Sequence, residues 1–179
     1  MAERYISLAR QSIENKLGLI EKVDSSFDDL KNIVGAFFVT LKIDNELRGC
    51  IGSMEAYRSV YDDIVGNALN AAFRDPRFLP LTADEYKRCK IEVSQLSPRT
   101  KISYKCYSDL KDIIKPSIHG VYLQKGYNSS TFLPQVWEEL NDFDQFFFYL
   151  CKKGNLQFQD LMNGEIEIFI YTVNIFSEN

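Results

Sequence analysis

Between positions 37 and 44 the chain sorts its side chains by twos. Phe37, Val39, Leu41 and Ile43 alternate with Phe38, Thr40, Lys42 and Asp44. A strand turns successive side chains to opposite faces, whereas a helix would scatter this pattern around its circumference, so the segment is extended with one apolar face. Asp44-Asn45-Glu46 supplies a turn, and Leu47-Arg48-Gly49-Cys50-Ile51-Gly52 follows, which predicts a β-hairpin over 36–52. The same signal recurs at 119–125 and 130–133 around Gly126-Tyr127-Asn128.

Helical spacing fills the intervals. Ile6, Ala9, Ile13 and Leu17 predict an amphipathic opening helix over 3–17 that Gly18 ends. A short helix is expected at 27–33 with Ser26 as N-cap. Val60, Ile64, Ala68 and Ala71 predict a largely buried helix over 59–73, stopped where Pro76 forces Asp75 out of the helical region. One helical turn is expected over 82–87, a short helix over 107–114, a helix opened by Pro134, and another over 143–153 closed by Lys152, Lys153 and Gly154. Strands are expected at 90–96 and 165–175, the last one central in its sheet. The class is therefore α+β, with two hairpins each followed by helices. The two halves share this order without sharing letters.

The 179 residues suffice to bury about 70% of the surface that the unfolded chain exposes, and no Gly/Ser linker divides them, so one domain over 1–179 is expected. Twenty-one basic against 25 acidic residues leave a net charge of -4, and no Lys/Arg block could track a phosphate backbone. Nucleic acid is not the expected partner. No apolar run resembles a signal peptide or a membrane span, which gives the expectation of a cytoplasmic protein with no membrane partner. Cys50, Cys89, Cys106 and Cys151 are irregularly spaced and are expected as thiols. With a single histidine and no ligand cluster, neither a metal nor another cofactor is expected. No GxGxxG, Walker loop, HExxH or GxSxG occurs.

The segment 47–52 carries the most chemistry. Simple alternation puts Arg48 and Cys50 on one face, and a guanidinium beside a thiol raises its reactivity. Gly49 and Gly52 leave room for a ligand or for another backbone; alternatively they serve tight packing, and Cys50 is a small buried hydrophobe. In Arg74-Asp75-Pro76-Arg77-Phe78, two arginines straddle a rigid turn and could clamp a carboxylate or phosphate while Asp75 holds one of them, or else form a helix stop with a local ion pair. His119 could serve Cys50 as proton carrier, or be a hydrogen-bonding residue at a strand end. Glu92 and Ser94 share one face of their strand and could line the same cavity, and Gln135 could reach a neighbouring site.

Taken together, LRGCIG, AAFRDPRF, IEVSQLSP, HGVYL, FLPQVW and CKKG, in this order, resemble the AMMECR domain family from about Gly35 to Phe176. The resemblance implies two β-rich repeats, each followed by helices, around a mixed, barrel-like sheet with a cleft between two subdomains. It also implies that positions 47–52 form the site. Where the family usually reads KAG, this chain has Lys152-Lys153-Gly154. The family's context is the three-part AmmeMemoRadiSam system, which implies a Memo-like protein and a radical S-adenosylmethionine enzyme as partners in modifying a small molecule or a protein. Two functions follow as expectations. In one, Arg48, Gly49, Gly52, Arg74, Asp75, Arg77, Glu92, Ser94 and Gln135 bind an anionic ligand or peptide and Cys50 reacts with His119 as proton carrier. In the other, the same surface is a non-catalytic adaptor.

Overall fold

A computed structural model describes residues 2–178, and these fold into two compact units, 2–96 with 174–178 and 97–173. In the first unit, α1 (Ala2–Lys16) buries Leu8, Ala9 and Ile13 completely; of the expected stripe, Ile6 and Leu17 are only partly buried, and Leu17 lies just past the helix. The helix expected at 27–33 is a 3₁₀ helix, Ser25–Asn32, and its N-cap is Asp24, whose carboxylate accepts the Ser26 N–H. A residue that caps by its side chain must precede the donor it serves, and Asp24 rather than Ser26 has that position.

The first hairpin is β1 (Ala36–Ile43) and β2 (Glu46–Gly52), joined by Asp44 and Asn45, both with positive φ (53° and 66°). Two left-handed residues match a two-residue turn to the twist of the strands, and Asn and Asp tolerate that conformation. Helix α2 (Val60–Phe73) starts at Ser59, which accepts the Asp62 N–H, and α3 (Ala83–Tyr86) is a single turn with a Thr82/Glu85 capping box. Strand β3 (Cys89–Leu96) runs antiparallel to β1. Phe37, Val39, Leu41, Ile91 and Val93 project from these two strands into a core shared with α1 and α2.

The second unit contains β4 (Thr100–Ile102), α4 (Asp109–Ile113), β5 (Gly120–Lys125), β6 (Asn128–Phe132), α5 (Val136–Glu139), α6 (Phe143–Lys153), α7 (Phe158–Met162) and β7 (Glu167–Tyr171). Its sheet has the order β4-β7-β5-β6 with antiparallel pairs. The core is aromatic: Trp137 stacks on Phe146 at 3.5 Å, and Tyr107 meets Phe147 edge-on. Pro134 does not open α5 as its first residue; it precedes Gln135, which holds the N-cap position without a side-chain cap bond.

The strand expected over 165–175 is two strands. At Thr172 the backbone turns to Ser97, donating its N–H to the Ser97 hydroxyl and accepting the Ser97 N–H, so neither ladder continues through it. Before the break β7 is central; after it β8 (Val173–Ser177) forms the edge of the first unit's sheet, in the order β2-β1-β3-β8. The α+β class holds, with the strands divided between two four-stranded antiparallel sheets and, among the described residues, no closed barrel. Among the described residues no helix is long and apolar enough to cross a membrane.

Candidate functional site

Strand β2 is an edge strand, and its register against β1 slips once. Leu41 lies opposite Gly49 and Lys42 opposite Leu47, so Arg48 is an extra residue in a bulge. A bulge re-aims its side chain and resets the alternation, so the expected common face of Arg48 and Cys50 does not follow from spacing. Arg48 instead gives Nε and Nη2 to the Glu85 carboxylate at 3.0 and 3.2 Å and Nη2 also to the Leu79 carbonyl at 2.8 Å. Its Nη1 is buried without a partner among the described residues. The Arg48 bond is the largest reason that Glu85 is held down to a pKa of about 2, with the Thr82 N–H assisting. Thus Arg48 fastens α3 to the bulge.

At Cys50 the free edge of β2 is closed by side chains. The buried Asp75 carboxylate accepts the Cys50 N–H at 2.9 Å, and Arg77 donates Nη2 to the Cys50 carbonyl at 3.2 Å. The two are joined to each other, Nε to Oδ1 at 2.9 Å and Nη2 to Oδ2 at 2.6 Å. These bonds, the Arg77 contact foremost, hold the Asp75 carboxyl well below the usual carboxylate range, so it is ionised. The pair satisfies both backbone groups of Cys50, which an unpaired edge would leave to water or to another chain.

The two glycines have packing reasons. A Cβ at Gly49 would lie 2.2 Å from the Ala71 carbonyl oxygen of α2, and one at Gly52 would lie 2.1 Å from the ring of Phe38. Another backbone and a ring, respectively, occupy the room that their missing side chains leave.

On the sheet face away from α2, cross-strand pairing places Cys50, Thr40 and Glu92 in one row and Gly52, Phe38 and Ser94 in the next. Thr40 donates its hydroxyl to the Cys50 sulfur at 3.2 Å, and Cys50 is half-buried. Glu92 accepts from Lys42 at 3.1 Å and from the Ser177 hydroxyl at 3.0 Å; Ser94 is buried. Arg74, at the C-cap of α2, is exposed. The structure therefore brings Cys50, Asp75, Arg77, Glu92 and Ser94 to one sheet and its edge.

His119 and Gln135 belong to the second unit. His119 accepts the Lys115 N–H at Nδ1 (3.1 Å), which leaves Nε2 as the nitrogen able to carry a proton, and its carbonyl accepts the Trp137 indole N–H. Gln135 has a buried Oε1 without a partner among the described residues. All four cysteines are free, with Cys106 exposed and Cys89 and Cys151 buried. Two participants escaped the sequence reading. Thr40 left no signal beyond its place in the alternation, whereas Glu85 was announced by the capping-box spacing from Thr82.

The AMMECR1 family model matches residues 6–176. The chain is 32% identical over 175 residues to protein NEQ441 of Nanoarchaeum equitans, covering 96% of this chain and 97% of that one. It is 34% identical over 180 residues to protein Mbar_A1807 of Methanosarcina barkeri, covering 97% and 88%. Among solved structures it resembles the uncharacterised protein PH0010 of Pyrococcus horikoshii, with a TM-score of 0.85 and 28% identity over 99% of this chain and 91% of that one.

Proposed function

The chain belongs to the AMMECR1 family, and from that premise we propose that it serves a modification system beside a Memo-like protein and a radical S-adenosylmethionine enzyme. In this reading Arg74 and Arg77 hold an anionic group of a ligand or peptide next to Cys50, whose half-buried thiol forms the covalent bond. The clamp at the edge of β2 is the observation that carries the reading. Asp75 fixes Arg77 through Nε and Nη2, and the half-exposed remainder of the guanidinium faces solvent, with the exposed Arg74 three residues away in the chain. An arginine held in place by a buried carboxylate is pre-organised to receive a second anion.

A second reading, the non-catalytic adaptor, is favoured by a different observation. Arg48 is bonded to Glu85, and α2 and Phe38 occupy the space at Gly49 and Gly52, so much of the 47–52 segment is engaged within the fold.

Alkylation of the native protein with iodoacetate and, in parallel, iodoacetamide separates the two readings, with peptide mass spectrometry reporting each thiol. An anion-holding site makes the charged reagent faster at Cys50 relative to the neutral one, and Arg74→Gln, Arg77→Gln and added salt each reduce that preference. If Cys50 stays unlabelled by both reagents until the protein unfolds, the covalent version fails and the adaptor stands. Equal sensitivity to both reagents in all variants removes the anion site.

A further inference from the structure

The loop that carries Arg74 and Arg77 also holds a large apolar side chain in water. Leu79 is 83% exposed, and its backbone is framed on both sides: the Phe78 N–H bonds the Asp75 carbonyl, the Leu79 carbonyl accepts from Arg48, and the Leu81 N–H returns to the Ala72 carbonyl. Pro76 and Pro80 restrict the backbone further. The Arg48 and Arg77 guanidinia each lie 5.6 Å from the Phe78 ring centroid, which fixes the middle of the loop. Leu79 thus stands on a rigid support in the same loop as the exposed Arg77, two residues before it, and Arg74, five before it, on a chain whose net charge is -4.

A single exposed leucine is ordinary on a protein surface. An exposed leucine whose support is already ordered, beside two arginines, differs in energetics, because association then costs little backbone entropy and the cations select the partner's charge. A small anion would use the arginines and leave Leu79 in water. We infer that the partner at this loop is a protein segment in which acidic side chains flank an apolar one, the acids meeting Arg74 and Arg77 and the apolar residue covering Leu79. The inference rests on the arginine site proposed above and names its occupant.

The test selects displayed random peptides on the full-length chain and measures their binding to variants. Selected sequences are expected to pair Asp or Glu with an apolar residue. Their affinity should fall about tenfold in Leu79→Asp and by a smaller factor in Leu79→Ala, and Arg74→Gln should weaken it in a salt-dependent way. Leu19→Asp, at an exposed leucine elsewhere in the unit, should change nothing. Because the Leu79 side chain lies outside the core, these variants keep the fold. If no selected peptide depends on Leu79, or the dependent ones lack acidic residues, the inference is wrong. It is equally wrong if the chain self-associates and Leu79→Asp dissolves the oligomer, since the occupant is then a second copy. An iodoacetate preference at Cys50 that survives in Leu79→Asp while peptide binding shows no Leu79 dependence leaves the arginine site standing and removes only its proposed occupant.

Discussion

The two hairpins are fastened by different chemistry. Around β1 and β2 the fastening groups are ionised: Asp75 and Arg77 close the edge at Cys50, and the fully buried Asp63 accepts the Phe37 N–H, the Ser53 hydroxyl and Arg58 Nε within 2.6–2.7 Å. Around β5 and β6 the buried ones are neutral, while the Lys125 pairs with Asp160 and Glu165 and the Lys153 bond to the Thr131 carbonyl are solvent-facing. Ser130 donates to the Leu150 carbonyl, and Tyr171 lies 2.7 Å from the Thr131 hydroxyl and donates to the Phe132 carbonyl. Burial pushes the Tyr171 hydroxyl up to about 12, so it stays protonated. An ionised fastening is strong while both charges are present and leaves an uncompensated charge when one is removed, whereas a neutral one is lost a bond at a time.

The largest effect that tests this contrast is Asp63→Ala, which leaves Arg58 and two other donors without their acceptor and should cost about 3–5 kcal/mol. Tyr171→Phe removes hydroxyl contacts from the neutral side and should cost about 1 kcal/mol. Denaturant midpoints compare the two, and similar losses would remove the distinction. A smaller difference separates the glycines. A Cβ at Gly49 meets a backbone carbonyl at 2.2 Å, while one at Gly120 meets the ring of Tyr171 at 2.4 Å. A ring can tilt and a helix backbone must shift as a body, so Gly49→Ala should cost about 3 kcal/mol and Gly120→Ala nearer to about 1 kcal/mol. The reverse order would mean that α2 yields more readily than the Tyr171 ring.

Acid gives a third test. Asp75 and Glu85 both have carboxyls held below their ordinary values in the fold, Glu85 at about 2 against 4.5, each chiefly by an arginine. A depressed carboxylate contributes stability above its unfolded value, and that contribution is lost as pH falls through the folded one, because the unfolded chain binds the proton first. Stability of the first unit should therefore fall as the pH drops from about 4.5 toward about 2. Asp75→Asn and Glu85→Gln should each lower stability at neutral pH and flatten this decline. A denaturant midpoint that falls as steeply in both variants as in the parent would place the acid-sensitive groups elsewhere.

Both hairpins were legible in the sequence because extended apolar segments flank a turn signal in each, although each turn is two residues, Asp44-Asn45 and Gly126-Tyr127, one fewer than the three expected. What resisted was whatever depends on a partner far along the chain. The bulge at Arg48 follows from the pairing of β2 with β1, which no spacing within Leu47–Gly52 records, and with it went the expected common face of Arg48 and Cys50. The split at Thr172 is set by Ser97, 75 residues away. Within the site, the Asp75–Arg77 pair was readable because its members are two residues apart, but its attachment to Cys50 was not. Short elements such as β4 and α7 carry too few side chains to show a period.

The smallest effect sharpens the contrast at near-neutral pH. His119 is the single histidine, and its folded pKa is lowered from 6.5, first by burial and then by the charge of Lys115. A depressed imidazole is the neutral form favoured by folding: the unfolded chain takes up the proton at the ordinary value, the folded chain only at lower pH. Stability is thus complete above 6.5 and declines as pH falls toward the folded value, opposite to a histidine raised by a carboxylate. Protonation at Nδ1 would also displace the Lys115 N–H that it accepts. One set of imidazole resonances should titrate below 6.5, with Lys115 amide exchange quickening over the same interval, and Lys115→Gln should move the midpoint part of the way back because burial remains. A midpoint at or above 6.5 would mean that an unseen acceptor stabilises the cation. The second unit would then hold an ionised fastening beyond its solvent-facing pairs, and the contrast between the hairpins would not extend to the units that contain them.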